Sequence, residues 1–595
     1  MWLLAATVAA FGTDEAWSAA HHHHAPTHLK HARAHRTKGA EAQHYKYVLK
    51  RSRKYARLRH SRRIRVAVAN IRGTSSPAER PAASLAPNLA AVKQALELVR
   101  AHKAREATAL ATSFSDPVAQ KLVEWALLRH AESEAAFQRY ANFIRANPDW
   151  PGIPMLRRRV ELKLWENPHH GASMGGYFGA KPTSADRPAE KRGIRAAQDR
   201  DERWRERRGL ARKLIDLGDA ASAYRIVREA APPANPYYRA EYHFIAGWVA
   251  LRFLNDPPTA LEHFVRIDEG STEPTVRARA AYWRGRAAEA DGRFEEMRAQ
   301  YEAAARYPTA YYGQLANARL GLGEIALRSP QPKSALGAAR ELARAADILY
   351  SIGERDLAIS FMIDLAKESN DVAAVAAVGE VTARYNDAQT MLLIGKTALA
   401  RGMAMDQYAF PAIGVPLYDA IGPHLDRCVV YSIVRTESGF NQHDKSPAKA
   451  VGLMQVTPEA GHDTAKRFGI TYDWNRLVSD PVYNTQMGAA EVAALLKEYR
   501  GSYVLAFAGY NAGRGRVAEW IARHGDPRDP KVDAVDWIER IPFAETRNYV
   551  QRVMENLQVY CARLGASTAT LEPNLHRAAP IGSRANPILV EAISQ

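Results

Sequence analysis

The residues best suited to chemistry lie near the carboxyl end. Segment 428–440 (CVVYSIVRTESGF) sets Val430, Ile433, Val434 and Glu437 at i+3/i+4 steps, so a carboxylate ends an apolar helical stripe. Gly439 stops that helix two residues later. A lone glutamate on such a face is commonly a cap or half of an ion pair. Desolvated against aliphatic side chains, however, a carboxyl group stays protonated near neutral pH, the state a glycosidic general acid needs. Asp444, seven residues on, is the nearest second carboxylate; its loop has no apolar neighbours, and it reads as solvated.

Three further segments surround this helix in sequence. Ser446–Gln455 (SPAKAVGLMQ) is a turn-rich approach to a second helix, and its Gly, Leu, Met and Gln make a narrow wall with amide hydrogen-bonding capacity. Ala508–Val517 (AGYNAGRGRV) is a helix end punctuated by glycines, and Ile541–Val550 (IPFAETRNYV) opens a last helix. Together they fit one mixed unit over 424–565, the size of a small domain. Its 18 basic and 17 acidic residues give no strong field for capturing a charged substrate.

The elements that must carry this unit are helical. A chain of 595 residues is too long for one core at about 100–200 residues per domain. From Asn88 to Leu425 helical periodicity dominates, with Trp125 and Leu128 on one helix, Phe137, Tyr140 and Ile144 on the next, and stops at Pro148 and Pro151. A weak repeat follows: Trp248 recurs as Trp283 after 35 residues, Asn255-Asp256 as Asp291-Gly292 after 36, and Phe264 as Tyr301 after 37. Helix–turn–helix units of that period stack into a superhelix, because a single pair cannot bury its apolar face. The aromatics Tyr237, Tyr238, Trp248, Tyr282, Trp283, Tyr311 and Tyr312 read as helix-packing core. Segment 166–190, rich in Gly, Pro, Ser and Ala, reads as a surface loop.

Charge and cysteine content remove other classes. Fourteen Lys/Arg against one acidic residue, Glu41, lie within 30–66, so most of the net charge of +18 belongs to an arm and not to the fold. The run 50–65 suits polyanions, although a solvated flexible arm is the plainer reading, and specific nucleic-acid binding ranks last. His21–His24 and the histidines after them could bind a metal ion or be a tag, but no packed framework fixes ligand geometry there. Cys428 and Cys561 are too few for a disulfide scaffold or a thiol zinc site. No apolar run after residue 20 reaches the roughly 18 residues of a membrane span, so an integral membrane bundle is not expected. The apolar run Trp2–Phe11, followed by small residues, reads as the end of a secretory signal without its positive start.

The four blocks Glu437-Ser438, Gly452-Leu-Met-Gln455, Tyr510-Asn-Ala-Gly513 and Glu545-Thr-Arg-x-Tyr-Val550, in this order, resemble the catalytic domain of soluble lytic murein transglycosylases. The helical middle also resembles that family around Asn147-Pro148-x-Trp150-Pro151, Ala281–Ala287 and Tyr311-Tyr312-Gly313. The resemblance covers roughly 90–565. It implies a mainly α fold: a superhelical solenoid (88–325), a helical linker domain (326–423) and a lysozyme-like catalytic domain (424–565). A signal remnant (1–20), a His-rich and basic arm (21–87) and a flexible tail (566–595) would complete the chain.

Carried over by position, the resemblance implies that Glu437 is the single catalytic acid/base. Ser446 and Gln455 would contact the substrate's N-acetyl and hydroxyl groups, Met454 would help form the cleft wall, Tyr510 and Asn511 would line it, and Tyr549 would position Glu437. Peptidoglycan glycan strands would be the substrate, in the periplasm, with no metal and no cofactor. The implied reaction closes a 1,6-anhydro ring without consuming water; a hydrolytic muramidase and a non-catalytic wall-binding scaffold are the alternatives. Three positions depart from the family pattern: Lys449 where glycine is frequent, Val456-Thr457 for a more usual Ile-x pair, and Glu491 where an aromatic is common. Cys428 and Cys561, near the first and last helices of the unit, could pair in an exported protein or remain two buried thiols.

Overall fold

The structure, a computed structural model, describes residues 87–166, 187–323, 325–330, 337–566 and 575. The expected signal remnant and nearly all of the His-rich and basic arm lie outside the described residues. So does most of the 166–190 loop. At its described ends the expectation is corrected: helices run over Ile153–Glu166 and Arg187–Asp216, so 187–190 open a helix. The residues after Pro188 are mostly good helix formers, and a proline in the first turn is tolerated. The tail also needs correction, since Leu575 is buried in the core.

The described chain is helical throughout, apart from two isolated antiparallel bridges, Lys445–Val451 and Val451–Val456. Helix starts are written into the sequence as Asx-Pro pairs. Asp116, Asn235, Asp256 and Asp480 each accept a backbone N–H of the first turn, and a proline follows each. The repeat is two consecutive helix pairs, Pro236–Phe253 with Pro257–Phe264 and Pro274–Ala290 with Phe294–Ala305. Each pair crosses at a glycine. A Cβ on Gly247 would lie 2.5 Å from the Phe264 ring, and one on Gly285 would lie 2.6 Å from the Tyr301 ring. The repeated aromatic is therefore the knob and the glycine its socket. Trp248, Tyr282, Trp283, Tyr311 and Tyr312 are buried as expected, whereas Tyr237 is 43% exposed.

The helices of 87–166 pack on the helices of 338–368. Arg129 pairs with Asp364 at 2.8 Å, Trp150 Nε1 donates to Glu341 at 2.6 Å, and Trp125 and Trp150 both meet the Phe361 ring edge-on. The repeat region instead packs on the carboxyl-terminal unit, with which it shares one apolar core. Trp248 Nε1 donates to Asp536 at 2.9 Å, Arg286 to Asp533 at 2.9 Å, and the Tyr311 N–H to Glu555 at 3.0 Å. None of the described helices is long and apolar enough to cross a membrane.

Cys428 and Cys561 are joined in a disulfide, with Cα atoms 5.0 Å apart and a sequence separation of 133. Of the two readings open in the sequence, the paired one holds. The bond staples helix Arg427–Glu437 to helix Ala544–Arg563, the two elements that hold the acid and its tyrosine. Closing so long a loop restricts the unfolded chain, so replacing both cysteines by serine is expected to cost about 2–4 kcal/mol. Denaturant titration of the oxidised wild type against Cys428→Ser/Cys561→Ser measures it.

Candidate active site

Glu437 is the last residue of helix Arg427–Glu437, whose residues from Cys428 to Arg435 are all buried. Three hydrogen bonds fix this helix. Arg435 donates to the Ala409 carbonyl at 2.9 Å and to Asn556 Oδ1 at 2.6 Å, and Asn556 Nδ2 donates to Thr436 at 2.9 Å. Beyond Glu437 the chain reverses through Gly439 (φ +56°) and Phe440 (φ +69°). Ser438 Oγ then donates to the Leu453 carbonyl at 2.8 Å, tying the acid to the Gly-Leu-Met-Gln segment.

That segment is held by a residue the sequence reading passed over. Asn484, wholly buried on helix Pro481–Glu498, donates to the carbonyls of Val451 at 2.9 Å and Leu477 at 3.0 Å, and accepts from Met454 N–H at 3.0 Å. A Cβ on Gly452 would sit 2.2 Å from Asn484 Nδ2, and φ there is +79°, so glycine is required twice over. The available signal was an asparagine in an otherwise apolar helix face, where a buried amide must find partners.

The expected site residues separate into those that face the acid and those that shape the loop. Tyr549 is buried, and its hydroxyl interacts with Glu437 without reaching strict hydrogen-bond geometry with any partner. Tyr510 Oη donates to the Met454 carbonyl at 2.8 Å, and its ring region also feels the Glu437 charge. Asn511 Oδ1 accepts from Thr546 at 2.7 Å, which leaves its amide N–H groups for a ligand. Gln455, at φ +49°, donates to the Asp444 and Gly452 carbonyls at 3.1 and 3.0 Å, so its amide oxygen is the group left to meet a substrate. Ser446 Oγ accepts from Ala450 N–H at 3.0 Å and still has a proton to donate. The Met454 side chain is fully buried against Gly488, so it supports the cleft wall from beneath.

Two of the departures have structural roles. Thr457 caps the following helix, accepting from Ala460 N–H at 3.2 Å. Glu491 is buried and paired with Arg514 at 2.8 Å, so a charge pair fills this position.

Burial pushes the Glu437 carboxyl up to about 8. Tyr549 opposes the rise, and the nearby carboxylates Glu545 and Asp444 add to it. Asp444 itself is half-buried, and burial raises its pKa too, so the solvated reading of this residue is corrected. Its loop is closed by the two antiparallel bridges, and the Gly452 N–H donates to the Asp444 carbonyl at 3.2 Å. Glu545, in the first turn of the last helix, was not singled out as an influence on the acid. The Glu437 shift has a thermodynamic consequence. Below the unfolded-state value both states are protonated; as pH rises toward 8 only the unfolded chain ionises, so Glu437 lowers stability across that window. Among the described residues no group of three or more His, Cys, Asp or Glu could hold a metal ion.

An α-helical unit with a carboxyl group at the end of a buried helix, walled by a glycine-rich turn and two tyrosines, has the architecture of a lysozyme-like domain. Residues 420–532 match the Transglycosylase SLT domain, and residues 540–568, within and just beyond the last helix, match the soluble lytic transglycosylase helical domain. Over these residues the chain is similar to the soluble lytic transglycosylases. It is 34% identical over 134 residues to the soluble lytic murein transglycosylase of Escherichia coli K12, covering 22% of this chain and 20% of that protein. With membrane-bound lytic murein transglycosylase D of the same organism it shares 31% over 134 residues, covering 22% and 28%. The matched stretch thus spans about a fifth to a quarter of these relatives. Among solved structures, the Escherichia coli 70 kDa soluble lytic transglycosylase superposes with TM-score 0.41 at 18% identity, covering 83% of this chain and 99% of that one. An inactive mutant of the Pseudomonas aeruginosa lytic transglycosylase Slt gives 0.48 at 20%, covering 89% and 83%.

Proposed function

We propose that this chain is an exported peptidoglycan lytic transglycosylase that cleaves the β-1,4 bond between N-acetylmuramic acid and N-acetylglucosamine. The observation that carries this reading is Glu437, held neutral up to about pH 8 at the end of a buried helix. Its proton passes to the bridging oxygen as the bond to muramyl C1 breaks. The substrate's own N-acetyl group stabilises the oxocarbenium-like centre, so no second protein carboxylate is required. The Glu437 carboxylate then takes the proton of the muramyl C6 hydroxyl, whose oxygen closes on C1 as a 1,6-anhydro ring. The acid is restored and water is not consumed. Tyr549 steadies the carboxylate in the ionised half of the cycle. Ser446, Gln455 and Asn511 are the hydrogen-bonding groups offered to the sugars.

Export to the periplasm is supported by the Cys428–Cys561 disulfide, which persists in oxidising compartments. The domain limits 88–325, 326–423 and 424–565 belong to this reading as well.

Mass spectrometry of the soluble muropeptides released from purified peptidoglycan tests the reaction. Anhydro-muramyl ends are expected; reducing muramic acid would make the enzyme a hydrolase and direct attention to Asp444 as its second carboxylate. The pH profile is a further expectation. Because the working form of Glu437 is the protonated one, the rate should fall about tenfold per pH unit well above pH 8. A rate still level at pH 10 would remove Glu437 as the acid.

A further inference from the structure

Lys449 adopts a backbone conformation that is unfavourable for a lysine. Its φ is +63°, in the left-handed region where glycine is at ease and a residue with a side chain is strained. The side chain is exposed, so no core packing offsets that strain. The turn it closes is the one that presents Ser446. Lys449 N–H donates to the Ser446 carbonyl at 3.0 Å, and Ala450 N–H donates to Ser446 Oγ at 3.0 Å. The same loop is tied to Gln455 through the Asp444 carbonyl. Lys445, on the other side of Ser446, is also exposed, whereas the neighbouring Asp444 carboxylate is half-buried and acts on Glu437. Two exposed lysines therefore stand one and three residues from Ser446, in the loop that presents the hydroxyl offered to the sugar.

The glycan bond that would be cut is uncharged. The negative charge of the polymer resides in carboxylates, either on the muramyl lactyl group of bare strands or on the attached peptides. From this geometry we infer that Lys449, assisted by Lys445, is a specificity determinant that selects muramyl units by a carboxylate on their lactyl or peptide substituent. The inference rests on the glycan-cleaving reading of this cleft.

Binding to purified peptidoglycan sacculi, in the full chain carrying Glu437→Gln, tests it without turnover. Adding Lys449→Gln should weaken binding about two- to fivefold at low ionic strength, as for a single exposed ion pair, and Lys449→Arg should retain it. Lys445→Gln with Lys449→Gln should lose more, and the losses should shrink in high salt. On sacculi whose carboxylates have been converted to amides, the affinity ratio between the proteins without and with Lys449→Gln should collapse towards one. Amidase-stripped strands, which keep only lactyl carboxylates, distinguish the sources: a ratio that persists there assigns the lactyl group, and one that vanishes assigns the peptide. An unchanged affinity of folded Lys449→Gln for both untreated sacculi and amidase-stripped strands, or an equal loss on amidated sacculi, overturns the inference. Failure of the wild type to release anhydro products would instead overturn the proposed reaction, leaving the binding ratio to be read separately.

Discussion

Glu437→Gln is expected to reduce turnover on peptidoglycan by about 10²–10⁴-fold while leaving the fold intact. The amide keeps the size of the neutral acid but can neither give up nor regain a proton, so both halves of the proposed cycle stop. The surroundings favour the uncharged form already, since burial has moved the carboxyl to about 8. The substitution should therefore be tolerated structurally. It should also remove the decline in stability that Glu437 imposes between its unfolded-state value and pH 8, so the mutant gains relative to wild type as pH rises. Release assays together with melting curves at pH 5 and pH 9 check both. Residual activity above about a tenth of wild type would show that another group supplies the proton.

The second large effect concerns docking of the catalytic unit on the repeat helices. Glu539, on helix Ala534–Arg540, has no exposed surface. It accepts from Tyr312 and, at 2.8 Å, from Gln551, and it lies 3.5 Å from Arg279 and 3.7 Å from Arg547. Arg212, whose pKa is lowered to about 9 chiefly by burial, donates to the Glu539 carbonyl at 2.7 Å. Burial alone would raise the Glu539 pKa, yet Arg279, Arg547 and Arg212 outweigh it and hold the carboxylate below its usual range. Its contribution is thus present above the unfolded-state pKa and is lost as pH falls through the lower folded value.

Glu539→Leu leaves buried arginines without their counter-charge, and a cost of about 3–5 kcal/mol is expected. Glu539→Gln, which keeps the bonds to Tyr312 and Gln551, should cost less. Denaturant midpoints at pH 7 measure both; a Glu539→Leu protein as stable as wild type would mean that the network is energetically neutral.

Much of the site was legible because its signals are local. The i+3/i+4 stripe ending in Glu437 and the glycines at 439, 452 and 513 are short-range patterns whose geometry follows from backbone sterics. The Asx-Pro helix starts are local in the same way. So is the repeat of Trp248 and Trp283, which reflects two copies of one helix pair. Lys449 was visible as an anomaly, but only its φ of +63° explains what the glycine elsewhere at that position is for.

Local patterns were enough to specify a helical chain with a basic arm, a stacked middle and one carboxyl group fit for acid catalysis. How that acid is tuned and supported was set by packing. Asn484 and Asn556 reach the active-site loop and the acid helix from elsewhere in the chain, Asp444 is half-buried, and Cys428 meets Cys561 at a sequence separation of 133. Glu539 likewise finds Arg279 and Tyr312 only when the repeat helices dock. Desolvation and charge pairing depend on which groups become neighbours in space, and that is set by packing between segments whose separation no local pattern records.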